Sequence, residues 1–123
     1  AMIDRLYEAS EHGVQIDLIV RGICCLIPGQ SYSRNIRVTR IVDSFLEHAR
    51  IWYFGNDGKP KVFMGSPDWT RRNLYRRIEA ITPILAPDLR DSLIEMLNIL
   101  VRLSPLPMHG VHNPVSSVFR ECW

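Results

Sequence analysis

Apolar and polar positions change period several times along this 123-residue chain, and each change marks an element. Met2, Ile3, Leu6 and Tyr7 recur at helical spacing, and Gly13 is placed to end the helix in a left-handed turn, so the pattern predicts a helix over residues 2–12. Val14, Ile16, Leu18 and Val20 then alternate, while Ile19 makes the end of the run apolar on both sides. That is the pattern of a strand over residues 14–20 covered on two faces. Residues 27–35 form a loop by composition. Between Asn35 and Glu47 the apolar spacing shifts from two to three and four, which predicts a short extended piece followed by a helix, with His48 directly after it. Residues 50–54 and 61–65 are rich in β-formers and flank Gly55-Asn56-Asp57-Gly58-Lys59-Pro60, the composition of a hairpin turn. A short helical or irregular piece around residues 71–77 precedes a strand over residues 79–85. Pro87 and Asp88 then open the clearest helix, whose stripe is Leu89, Leu93, Ile94, Leu97, Leu100 and Val101, with Asp88 and Asp91 in its first turn.

This order is α/β, a sheet flanked by helices. The chain opens in a helix, so the sheet reads as lacking its first strand. Residues 1–103 read as one domain, incomplete at its N-terminal end. Residues 104–123 carry three prolines, a glycine and no periodicity, and read as an irregular tail. Apolar residues make up 46% of the chain and charged residues 23%, which excludes a disordered segment. No apolar run approaches the roughly 18 residues of a membrane span, and acidic residues interrupt the region where a signal peptide would be apolar. The expected location is the cytoplasm, with peripheral membrane association left open. Cys24, Cys25 and Cys122 give neither an even disulfide set nor a CxxC pair, so zinc is not expected.

Charge changes the picture more. Between Arg21 and Arg77 there are eleven Arg and Lys residues against four acids, a balance of +7, while the net charge of the whole chain is only +2. An anionic partner follows. All of the chain's bases are arginine except Lys59 and Lys61, and the planar guanidinium matches phosphate oxygens two at a time.

Three places could carry chemistry. Arg21 follows a strand, where ligands gather in open α/β sheets. His48 and Arg50 stand at a join between helix and strand, and alternation along the strand puts them on one side. In Gly65-Ser66-Pro67-Asp68-Trp69-Thr70-Arg71-Arg72-Asn73, a small backbone and a hydroxyl end a strand while Arg72 and Asn73 add donors; the competing reading is an ordinary turn with Asp68 capping a helix.

Together the last two segments resemble half of the phospholipase D signature, a His-x-Lys pair followed by a Gly-Ser turn. Arg50 stands where that signature has lysine, Gly55 where it has aspartate, and Gly65-Ser66 comes later, which disfavours an ordinary phosphodiesterase. A closer resemblance spans residues 2 to about 101 and rests on Met2-Ile3-Asp4, Tyr7-Glu8-Ala9-Ser10, residues 16–24, Asn35-Ile36-Arg37, Ile41-Val42, residues 45–48 and 65–69, Arg72-Asn73 and Arg77-Ile78-Glu79. These segments are similar to the last domain of bacterial polyphosphate kinase.

That resemblance implies a phospholipase D-like fold within an enzyme that reversibly transfers the terminal phosphate of ATP to inorganic polyphosphate. Transfer runs through a phosphohistidine in a preceding domain, with Mg2+ bound mainly by residues outside this chain and no metal ligand supplied here. It implies ATP or ADP, polyphosphate and the remaining domains of the same enzyme as partners, a homo-oligomer, and no specific nucleic acid. It makes Arg21 a contact to ATP phosphates and His48 the second essential histidine. By their chemistry, Arg50, Ser66, Arg72 and Asn73 are expected to line the same phosphate channel. The loop after Pro28-Gly29 is shorter than the family's, and the chain beyond Arg102 is unlike the family's ending. His109 and His112 have metal spacing, but Gly110 and the nearby prolines oppose a helix there. A phosphodiesterase or nuclease half-site completed across a dimer, and a non-catalytic polyphosphate-binding module, are the alternatives. The chain by itself is expected to be inactive as a kinase.

Overall fold

Gly13 ends the first helix as its position in the sequence requires. Its φ is +86°, its N–H donates to the Ser10 carbonyl at 3.0 Å, and Val14 N–H donates to the Ala9 carbonyl at 3.0 Å. This pair of bonds is a Schellman closure. The chain is seen in a computed structural model that describes residues 2–21, 24–40, 48–103 and, for the backbone, 117–121.

The helix, α1, is Met2–Glu11; β1 is Ile16–Val20 and β2 is Ile36–Arg40. Strand β3 (Ile51–Phe54) and strand β4 (Lys61–Gly65) form the expected antiparallel hairpin, turned through Asn56, Asp57 and Gly58 at φ +46°, +51° and +79°. Helix α2 (Arg71–Arg76), strand β5 (Ile81–Pro83), helix α3 (Pro87–Leu103) and strand β6 (Ser117–Glu121) follow.

The six strands make one sheet in the order β2-β1-β6-β3-β4-β5. Strand β1 is parallel to β2 and to β6, β6 is antiparallel to β3, and β3, β4 and β5 are successively antiparallel.

Three expectations need correction. The first strand begins at Ile16 rather than Val14, because the Val14 N–H is used to close the helix. The strand over residues 79–85 shrinks to Ile81–Pro83: the Ala80 N–H goes to the Ser66 hydroxyl rather than to a backbone carbonyl, and the Ile84 N–H, donating to the Val62 carbonyl at 2.9 Å, closes the pairing with β4 just past Pro83. The tail is not wholly irregular. Ser117–Glu121 occupies the centre of the sheet between β1 and β3, the place where a sheet short of one strand would have had its gap. The helix expected after β2 falls on residues 41–47, outside the described residues.

Both faces of the sheet are covered. Ile16, Leu18, Val20, Ile36 and Trp52 pack with Leu6 of α1 on one side, and Ile19, Ile51 and Val62 pack with Leu97 and Val101 of α3 on the other. All five residues of β1 are buried. One of them is Asp17, whose carboxylate is satisfied by Arg37 Nε from its cross-strand partner position on β2. A carboxylate so placed needs that partner, since an unpaired buried charge costs several kcal/mol.

Because β6 supplies the backbone partners of both β1 and β3, a chain ending at Leu103 should leave two facing strand edges unpaired. It is expected to form aggregates and to melt at lower temperature than the full chain, as read by light scattering on a sizing column and by circular dichroism. A truncated chain that elutes and melts like the full one would contradict the central place of β6.

Candidate functional site

Strand direction gathers the candidate residues. Strand β1 ends at Val20, and Arg21 follows it directly. In the β1–β2 register Val20 lies opposite Arg40, so the exposed end of β2 is at the same sheet edge. Strand β3 runs the other way: Ile51, its first residue, lies opposite Arg120, and the next residue of β6, Glu121, lies opposite Val20. The start of β3, with His48 and Arg50 just before it, therefore stands at the edge where β1 ends. Gly65 ends β4 at that edge and pairs with Ile81, the first residue of β5, so Ser66 and Glu79 are there too. Two inter-strand spacings, about 10 Å, separate the backbone of β1 from that of β3.

His48 is exposed and Arg21 is half-buried. Arg50 is largely enclosed, its side chain 19% exposed, and its guanidinium is engaged within the chain. Nε donates to Asp68 Oδ1 at 2.8 Å and Nη1 donates to the His48 carbonyl at 3.1 Å. Ser66 is engaged as well. Its hydroxyl donates to Glu79 Oε2 and accepts from the Ala80 N–H at 3.1 Å, while its own N–H donates to the Ala80 carbonyl at 2.9 Å. Arg72 is exposed on α2 with Arg71 and Arg76, and Asn73 is half-buried beside it. The cap of α2 is Thr70, whose hydroxyl accepts from the Asn73 N–H at 3.2 Å, and not Asp68.

The structure thus brings Arg21, His48, Arg50 and Ser66 to one edge, with Arg72 and Asn73 on the helix that follows. Sequence reasoning missed the partners of two of them. Along the chain Asp68 reads as a helix cap and Glu79 only as the start of a strand, since neither has a local pattern pointing to Arg50 or Ser66. The one usable signal was a carboxylate beside a tryptophan in a turn.

Among the described residues no group of three or more His, Cys, Asp or Glu could hold an ion, and two carboxylates at this edge, Asp68 and Glu79, already serve Arg50 and Ser66. These residues do not fit a Mg2+ ion. Cys24 and Cys25 are free thiols just past β1, and burial pushes the Cys24 thiol up, against a smaller opposite pull from a hydrogen bond with the Leu26 backbone. Such a thiol is held in its unreactive protonated form. His109 and His112 lie outside the described residues. Among those residues no helix is long and apolar enough to cross a membrane.

The family model for the polyphosphate kinase C-terminal domain 2 matches residues 1–104. The chain belongs to the polyphosphate kinase family. It is 54% identical over 101 residues to a polyphosphate kinase of Synechocystis, covering 81% of this chain and 14% of that protein. Against a polyphosphate kinase of Campylobacter jejuni it is 51% identical over 98 residues, covering 80% and 14%. The crystal structure of the polyphosphate kinase from Porphyromonas gingivalis superposes with a TM-score of 0.80 at 51% identity, over 98% of this chain and 17% of that one. The chain therefore spans about a seventh of the length of the curated relatives it matches. The phospholipase D-like α/β fold expected from the sequence agrees with that likeness.

Within this polyphosphate kinase domain, the loop after β4 is fastened to β3 by shape as well as charge. A Cβ on Gly65 would come within 2.7 Å of the Ala80 carbonyl oxygen and 2.9 Å of the Trp52 ring. Trp69 stacks on the same indole, with centroids 6.3 Å apart and planes 8° from parallel. Trp52 is buried, so neither it nor the β5 backbone can yield easily. Gly65→Ala is expected to destabilise the domain by about 1–3 kcal/mol, measured by chemical denaturation. An unchanged denaturation midpoint would mean that the β4–β5 contact is slack.

Proposed function

We propose that this domain forms one wall of the phosphoryl-transfer site of a polyphosphate kinase, which moves the terminal phosphate of ATP reversibly onto inorganic polyphosphate. The observation that carries the reading is that the β1, β6, β3 register sets Arg21 and His48 at one sheet edge although 26 residues lie between them in the chain. Family membership supplies the reaction class, and the geometry supplies residues suited to it.

A phosphoryl group in transfer carries its charge on oxygens and needs little covalent help from the protein, so catalysis is positioning and charge stabilisation. Arg21, placed past the end of β1, neutralises the phosphates of the nucleotide. His48, exposed at the start of β3, hydrogen-bonds a phosphoryl oxygen or protonates the leaving oxygen as the bond to it breaks. Arg72 and Asn73 extend the donors along α2 toward the polyphosphate chain. The Ser66 hydroxyl and the Arg50 guanidinium are committed to Glu79 and Asp68, so both support the wall rather than face the anion. The histidine that carries the phosphate and the groups that hold Mg2+ belong to the remaining domains of the enzyme, a homo-oligomer of the cytoplasm in this reading. Mg2+ bound there would screen the phosphates. The residues of this domain bind and orient, and by themselves transfer nothing.

In a full-length enzyme carrying this domain, Arg21→Ala and His48→Ala should each lower kcat for polyphosphate synthesis by about a hundredfold or more. Calorimetric titration of the isolated chain with ATP, and with medium-length polyphosphate for comparison, should show weaker ATP binding for Arg21→Ala. Full activity in both variants would mean that the basic segment is a diffuse anion-binding surface and that the site lies elsewhere.

A further inference from the structure

We propose that Arg50 and Asp68 form a clamp that positions His48, and that the Gly65-Ser66-Pro67-Asp68-Trp69 segment is the anchor of that clamp rather than a phosphate cradle; this rests on the reading of His48 given above. His48 lies three residues before β3, and its carbonyl accepts a hydrogen bond from Arg50 Nη1 at 3.1 Å. The same guanidinium reaches across to Asp68 at 2.8 Å, so one planar group ties the backbone of His48 to the loop after β4.

That loop is a firm support. Pro67 is buried, and Ser66 is held to Ala80 and Glu79 by three hydrogen bonds. Trp69, next to Asp68, lies flat against Trp52, two residues beyond Arg50 on the adjacent strand. The Gly65 N–H donates to the Arg50 carbonyl at 3.2 Å, which brings the backbones on either side of the clamp together. Asp68 is thus held by neighbours that also hold Arg50. The side chains of the pair are only 19% and 26% exposed, so their attraction is less screened than that of a surface ion pair. An imidazole that must meet a phosphoryl oxygen within a few tenths of an ångström gains from such a tie, since misplacement by about 1 Å can cost a hundredfold in rate.

A clamp and a phosphate ligand differ in what they do to kinetics. In a full-length enzyme carrying this domain, Arg50→Ala and Asp68→Ala should each lower kcat by about tenfold to a hundredfold, with KM for ATP and for polyphosphate changed less than about twofold. The double variant should be no worse than the worse single one, because both remove the same contact. Arg50→Lys, which keeps the charge and loses the fork, should recover little. In a His48→Ala background, measured at its expected residual activity, Arg50→Ala should cost nothing further, as expected only if Arg50 acts through His48. Asp68→Asn keeps the shape of the loop, so a kcat loss in that variant at unchanged melting temperature separates the clamp from misfolding.

A KM for ATP or polyphosphate raised about tenfold by Arg50→Ala and untouched by Asp68→Ala would make Arg50 an anion ligand and overturn the proposal. A further loss from Arg50→Ala in the His48→Ala background would overturn it as well. Unchanged kcat in His48→Ala would instead remove the reading of the site on which the clamp depends, whereas lost kcat there beside intact clamp variants would remove the clamp alone.

Discussion

Everything at the candidate site depends on β1 and β3 running in opposite directions on either side of β6. A strand that ends and a strand that begins at the same sheet edge deliver two loops to one place, here Arg21 from the first and His48 from the second. Had β3 been parallel to β1, its preceding segment would have opened on the far edge, a strand length away. The direction of β6 is therefore as important to the site as any side chain in it, although β6 itself offers only backbone pairing to this argument.

The second constraint is charge. Eleven bases between Arg21 and Arg77 repel one another unless an anion or a carboxylate intervenes, and the domain divides them by burial. Arg37 and Arg50 turn inward to Asp17 and Asp68, while Arg40, Arg71, Arg72, Arg76 and Arg77 remain exposed. The inward pairs hold strands and loops together. The exposed bases leave a surface whose sign suits an anion.

Much of this was legible along the chain because it is local. Helix α1 with its Gly13 closure, the fully buried β1, the Asn56-Asp57-Gly58 hairpin turn and the Pro87 start of α3 each follow from propensities and spacings within a few residues. The short edge strand β5 reads longer in the sequence than it is, since nothing nearby announces that the Ala80 N–H will go to the Ser66 hydroxyl. Strand β6 was not legible at all. Its five residues, Ser117-Val118-Phe119-Arg120-Glu121, have neither the alternation of a half-buried strand nor the apolar run of a buried one. Its place comes from two unpaired edges more than sixty residues away in the chain.

By itself the sequence determined the α/β class, the basic middle of the chain, the family and the residue types able to meet phosphate, because composition, periodicity and ordered motifs are carried by neighbours. Only the tertiary structure decided which of those residues face outward. Arg50 and Arg72 look alike in the sequence, yet one is drawn to Asp68 and the backbone of His48 while the other stands exposed on α2. That choice depends on pairings across the sheet, where hydrogen bonds and ion pairs join residues that only folding brings within 3 Å.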